Sequence, residues 1–176
     1  MERNAKTELW FYLLILGDEN PIINQSSVNG ILFVNSRLNQ FFIIEKFKEF
    51  LDKEPSFFQY INKIVPIERV IESNVSLIEA KVDELLKEKP EFMNLKSFCI
   101  IIRKRKTQIS RSSIIESIAP KINLSVDLKN PEWIIWIEII GKITGISILK
   151  PTQVLSIKKL KNKMYNFDEF DDFTQI

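Results

Sequence analysis

Four consecutive cations, Arg103-Lys104-Arg105-Lys106, follow the apolar run Phe98–Ile102, and Arg111-Ser112-Ser113 stands a few residues further on. Guanidinium and ammonium groups at this density attract phosphate. The first turn of a helix adds unpaired backbone N–H groups and the positive end of the helix dipole. Ser113 and Glu116 have the spacing of a capping box, which predicts a helix opening beside Arg111. The segment is therefore a candidate site for the backbone of a nucleic acid: if the strand continues through Arg103, Lys104, Arg105 and Lys106 these cations split between two faces, and if the chain turns there they fan out over one edge, with Arg111 and Ser112 at the helix start. A second reading fits the same residues. Lys and Arg beside a strand also discourage pairing with another chain, so the run can be a solvated edge.

Other chemistries lack their residues. The chain has no histidine, which removes the commonest general base and metal ligand, and one cysteine, which excludes a Cys/His zinc site and an internal disulfide. Its four glycines, at 17, 30, 141 and 145, build neither G-x-G-x-x-G nor a Walker A loop. Serine has no histidine to activate it. The stretch Asn130-Pro131-Glu132-Trp133 is similar to the N-P-P-aromatic loop of amino-methyltransferases, but the second proline and a glycine-rich cofactor loop are missing. The expectation is a chain with no catalytic residues, no metal site and no cofactor.

Charge is unevenly spread. Residues 96–165 carry 14 cations against 4 anions, whereas residues 1–95 carry 11 against 15, and residues 166–176 carry four acids and no cation. A basic middle block marks either a polyanion-binding surface or a well-solvated face. Cys99 sits in an apolar run and reads as a core residue in a reducing, cytoplasmic setting. Neither Leu9–Leu16 nor the run from Trp133 has the make-up of a leader or a membrane span, because Glu2 and Glu8 flank the first and Glu138 and Lys142 interrupt the second.

The elements that would position these residues follow from periodicity and punctuation. Leu9–Leu16 reads as a strand and 17–30 as a loop. Ile31–Val34 reads as a strand, and 39–52 as a helix with Ile43, Phe47, Phe50 and Leu51 on one face. The stretch 61–73 reads as an edge or bulged strand, because it contains Pro66. Residues 76–89 form a helix opened by a Ser76/Glu79 capping box and closed before Pro90. A doubly buried strand, Phe98–Ile102, follows, then a short helix ending near Pro120. Trp133–Ile140 and Ile143–Leu149 read as two strands joined by a type II′ turn at Gly141-Lys142, with a last short strand at Val154–Ile157. The class is mixed α/β (α+β), in two units.

The segments "SFCIIIRKRKTQISRSSIIESIAPKI" and "VDLKNPEWIIWIEIIGKITGISI", preceded by the helix "NVSLIEAKVDELLKEK", resemble the THUMP domain, a tRNA-binding module. The resemblance implies an N-terminal ferredoxin-like unit at 1–71, abbreviated because 17–30 cannot supply its first helix. It implies a THUMP α/β domain at 72–160 and an acidic, aromatic tail at 161–176. Within the family, a chain of this size resembles the accessory protein of a tRNA cytidine N4-acetyltransferase. The partners so implied are tRNA, gripped at its acceptor end, and that acetyltransferase, with no membrane and no small-molecule substrate. Lys129 and Asn130 of the second signature join the six residues above as RNA-contacting positions. Asp127 and Pro131 shape the loop, and Trp133 and Trp136 are core residues or stacking platforms. For the tail, two surfaces suit its acids and phenylalanines: this protein's own basic face, or the partner enzyme.

Overall fold

A computed structural model describes residues 2–164 of the chain. The described residues divide into two compact units, one made of 2–66 and 152–164, the other of Ile67–Pro151. The first unit opens with helix α1 (Glu2–Ile15), where the sequence reading expects a strand. The cause is at its end. Asp18 N–H reaches Leu13 O, Gly17 N–H reaches Leu14 O, and Gly17 sits at φ +97. This is the left-handed glycine closure of a helix. The run is apolar on all sides, so its period is hidden, and the glycine that stops it was the available signal.

After α1 come β1 (Ile22–Gln25) and β2 (Leu32–Asn35), paired antiparallel, in a stretch whose first part was read as loop. Helix α2 (Gln40–Lys53) follows, capped by Asn39, which accepts from Phe41 N–H and Phe42 N–H. Strand β3 (Lys63–Ile64) completes the outward path. The order of elements in this unit up to Pro66 is helix–strand–strand–helix–strand. Residues 17–30 hold no helix, in line with their few apolar residues. Tyr12 of α1 packs on Phe58 and Phe47 of the core, with ring centroids 4.4 and 6.1 Å away. Phe58 takes φ +59 with its ring 2% exposed, a conformation held by burial and by the Glu8 carboxylate, which accepts the N–H groups of Gln59 and Tyr60.

Pro66 breaks the stretch 61–73 into two strands, because proline donates nothing to a ladder. The second piece, β4 (Arg69–Glu72), is an edge strand of the other unit, so the division falls ahead of the expected 71/72 boundary. Helix α3 (Val75–Glu88) starts one residue earlier than expected, with Asn74 rather than Ser76 as its cap. Then come β5 (Ser97–Arg105), α4 (Arg111–Ile118), β6 (Ser125–Val126), β7 (Trp133–Ile140) and β8 (Ile143–Leu149). The five strands lie in the order β4-β8-β7-β5-β6, with β5 parallel to β6 and β7 and the other pairs antiparallel. Side chains alternate across a sheet. Phe98, Ile102, Trp133, Ile135 and Ile137 thus share the face packed by Ile78, Val82 and Leu85 of α3 and by Ile114 and Ile118 of α4. Gly141 at φ +61, beside a Lys142 of ordinary φ, makes the expected β7–β8 hairpin turn.

Beyond Pro151 the chain returns to the first unit. Strand β9 (Leu155–Ser156) pairs with β3, and helix α5 (Ile157–Met164) replaces what was read as the start of a tail. The remaining expected tail lies outside the described residues. Among the described residues no helix is long and apolar enough to cross a membrane.

Candidate nucleic-acid interface

The four cations do not all stand on a turn. Strand β5 runs through Arg103, Lys104 and Arg105, which pair in register with Glu138, Ile139 and Ile140 of β7. The parallel ladder holds them extended, so alternate cations face opposite sides of the sheet. Arg103 and Arg105 share the side that faces away from α3 and α4. There the Arg105 guanidinium meets Glu138 at 2.8 Å, and the other Glu138 oxygen accepts from Trp136 Nε1 at 3.2 Å. Lys104 is on the helix side. Its Nζ donates to Ile109 O at 2.9 Å, which braces the loop leading to α4. Lys106 makes the turn itself, at φ +53.

Helix α4 begins after Ser110, whose hydroxyl bonds to that of Ser112 at 2.6 Å. The expected Ser113/Glu116 capping box is not used, because both residues lie inside the helix. Arg111 is half-buried, and its Nε lies buried with no hydrogen-bond partner among the described residues. Ser112 is exposed. Gly141 N–H donates to Arg105 O, which brings the β7–β8 turn and its exposed Lys142 to the end of β5. Arg103, Arg105, Lys106, Arg111, Ser112 and Lys142 thus collect at one end of the sheet.

Lys129 and Asn130 are at the other end. They precede β7, and β7 is parallel to β5, so they sit level with the beginning of β5. Asp127 N–H bonds to Phe98 O. Phe98 and Arg105 are seven strand residues apart, or about 23 Å. The backbone N–H groups of Lys129 and Asn130 both donate to Asp127 Oδ1 at 2.9 Å, an Asx turn that holds the Asp127 carboxyl below its usual range. Lys150, at the end of β8, is also here, with its Nζ 6.0 Å from the Trp133 ring. The eight candidate positions therefore form two patches, not one.

Other basic residues are committed to structure. Lys121 bridges Glu79 and Asp83 of α3. Lys158, Lys159 and Lys161 belong to α5 of the first unit, so the basic block of the sequence is divided between the units. Trp133 and Trp136 are 5% and 2% exposed and serve as core, not as stacking platforms. Cys99 is buried, and that burial, with the nearby Asp127 carboxylate, pushes its thiol up to about 11. Among the described residues no group of three or more His, Cys, Asp or Glu could hold a metal ion.

The arrangement, a helix pair over a sheet whose basic strand ends beside a helix start, has a known family. Residues 72–149 match the THUMP domain model. This segment is a THUMP domain. Two solved structures share the fold. PH1313 from Pyrococcus horikoshii superposes with a TM-score of 0.59 at 19% identity, over 85% of this chain and 50% of its own. TrmN from Thermus thermophilus gives 0.50 at 12% identity, over 84% of this chain and 43% of its own. The THUMP domain of THUMP domain-containing protein 1 gives 0.35 at 23% identity, over 44% of this chain and 89% of its own. The chain thus spans half the length of PH1313. No curated protein sequence matches it.

Within the THUMP domain, β4 and β8 close the helix-covered layer, and the two basic patches lie beyond opposite ends of β5. Lys142 is the residue that sequence spacing undervalues. Its position was readable from the Gly141-Lys142 turn, but its neighbours depend on the register of β7 against β5.

Proposed function

We propose that this chain binds tRNA through the patch formed by Arg103, Lys106, Arg111, Ser112 and Lys142, beside the Glu138-paired Arg105, and that it delivers tRNA to a modification enzyme without itself catalysing a reaction. The THUMP domain supports the RNA class, since the family is a tRNA-binding module in RNA-modification systems. The observation that carries the reading is the collection of cations from β5, the α4 start and the β7–β8 turn at one end of the sheet. Such a lip can meet several phosphates along one backbone. The absence of histidine from the sequence and the raised Cys99 thiol support a non-catalytic role.

The enzyme served, in this proposal, is a tRNA cytidine N4-acetyltransferase, and the RNA feature gripped is the acceptor end. Both rest on the family resemblance. Removing the gene and quantifying N4-acetylcytidine in cellular tRNA tests the partner, with loss of the modified base expected. Unchanged levels would overturn it. Trimming the 3′ single strand from tRNA tests the acceptor-end grip, with weaker binding expected. Equal affinity for trimmed and intact tRNA would reduce the site to a general basic patch.

A further inference from the structure

Helix α1 leaves an apolar face uncovered. Leu9, Tyr12 and Leu13 are buried, while Trp10, Phe11, Leu14 and Ile15 on the opposite side are 43, 52, 39 and 55% exposed. A helix that is apolar all round ordinarily has partners all round. At the N-terminal end of the same stripe stand Arg3, Lys6 and Thr7, on the helix face of Trp10. The acids of this helix are engaged elsewhere. Glu2 accepts from Gln25 Nε2 and Gly30 N–H, and Glu8 accepts from Gln59 and Tyr60 N–H. Arg3 and Lys6 enter no ion pair among the described residues. The exposed stripe is therefore apolar along its length and positive at one end.

We propose that residues 165–176 of this chain, "YNFDEFDDFTQI", dock on that face. Their chemistry is complementary. Phe167, Phe170 and Phe173 recur at three-residue spacing, and Asp168, Glu169, Asp171 and Asp172 stand between them with no cation. The phenylalanines cover the Trp10–Leu14 stripe, and the carboxylates meet Arg3 and Lys6. A second copy of α1 would bring apolar surface, but its two carboxylates, Glu2 and Glu8, are already engaged within their own chain.

Chain geometry favours the same occupant. Helix α5, from which the segment continues, donates Lys161 Nζ to Phe58 O. Phe58 packs on Tyr12 of α1, and the next two N–H groups bond to Glu8 of α1. So α5 and α1 flank one turn of the first unit. Twelve residues reach up to about 40 Å, and α1 is about 21 Å long, so the segment can span the whole face. Tethering places it at an effective concentration on the order of millimolar, so even weak docking is populated. The proposal concerns the first unit and does not rest on the RNA reading.

Quenching by acrylamide, a neutral probe, tests it, because Trp133 and Trp136 are buried and the accessible emission reports Trp10. Ending the chain at Met164 is expected to raise quenching and shift the accessible emission to the red. Phe167→Ser, Phe170→Ser and Phe173→Ser together, in the full-length chain, are expected to do the same. Arg3→Glu with Lys6→Glu is expected to give a smaller rise, at low salt. A synthetic 165–176 peptide should restore protection to the shortened chain. Three results overturn the proposal. One is equal quenching in the full and shortened chains. Another is protection that survives removal of 165–176 and grows with protein concentration, which assigns the face to a second copy. The last is protection that appears solely when tRNA is added, which assigns the face to RNA.

Discussion

The number of cations gathered at the end of β5 sets a measurable salt dependence. Arg103, Lys106, Arg111 and Lys142 surround that end, while Arg105 is paired with Glu138 and Lys104 is bonded to Ile109 O. If these four neutralise about four phosphates, log K falls with log salt at a slope of about −3.6. Raising salt from about 50 to about 200 mM then weakens tRNA binding about 150-fold. Arg103→Ala, Arg111→Ala and Lys142→Ala together leave about one contact, a slope near −0.9 and a loss of about 3.5-fold over the same range. Lys129→Ala with Lys150→Ala, about 23 Å away along β5, is expected to leave the slope near that of the parent. Glu138→Gln adds a converse arm. It frees Arg105 and still offers an oxygen to Trp136 Nε1, so the slope should steepen by about one contact and binding at low salt should tighten. Fluorescence anisotropy of labelled tRNA across a KCl series measures all four proteins, with circular dichroism as the folding control. A parent-like slope in the triple variant, or an equal drop in slope from Lys129→Ala/Lys150→Ala, would refute the one-patch reasoning.

Three further outcomes are expected. The Asp18 carboxyl, 1% exposed, is held below its usual range first by Ser36 Oγ and then by the N–H groups of Asn20 and Arg37. A lowered folded pKa stabilises above the unfolded value and is lost as pH falls through the folded one, so Asp18→Asn should lower the melting temperature at pH 7 and shrink the difference below pH ~4. In the second unit, Glu68 meets Lys89 at 2.8 Å and accepts Ile148 N–H at 2.8 Å, with both side chains largely buried. Glu68→Ala leaves the ammonium the Ile148 carbonyl and the Trp133 ring but no counter-charge, and should cost about 1–3 kcal/mol in urea unfolding, whereas Glu68→Gln, which keeps the Ile148 N–H bond, should cost less. Gly17→Ala has open space for its methyl but sits at φ +97, so it should cost about 1–2 kcal/mol, read as a lower urea midpoint for the first unit.

The THUMP domain was readable in the sequence because its pieces are locally encoded. The apolar run at 98–102, the Gly141-Lys142 turn and the V-D-L-K-N-P signature each announce themselves within a few residues, and their order narrows the family. The amphipathic periods of α2 and α3 likewise need no tertiary context. Leu9–Leu16 was not legible, because a run apolar on every side has no period, and helix and strand differ there by what packs against it. The extent of β5 was decided by its partner. Arg and Lys have little strand preference of their own, and pairing with 138–140 of β7 holds them in the ladder.

That pairing also decided the candidate site. Segments that precede two parallel strands emerge at one end of a sheet and those that follow them emerge at the other, so Lys129 and Asn130 part from Arg105 and Lys106 although both groups belong to signatures of one family. The same topology brings Lys142, far along the chain, to the end of β5. Sequence alone determined which residues carry the charge. Strand direction and register determined which of those charges stand together, because a contact between residues distant in the chain exists once the sheet has formed.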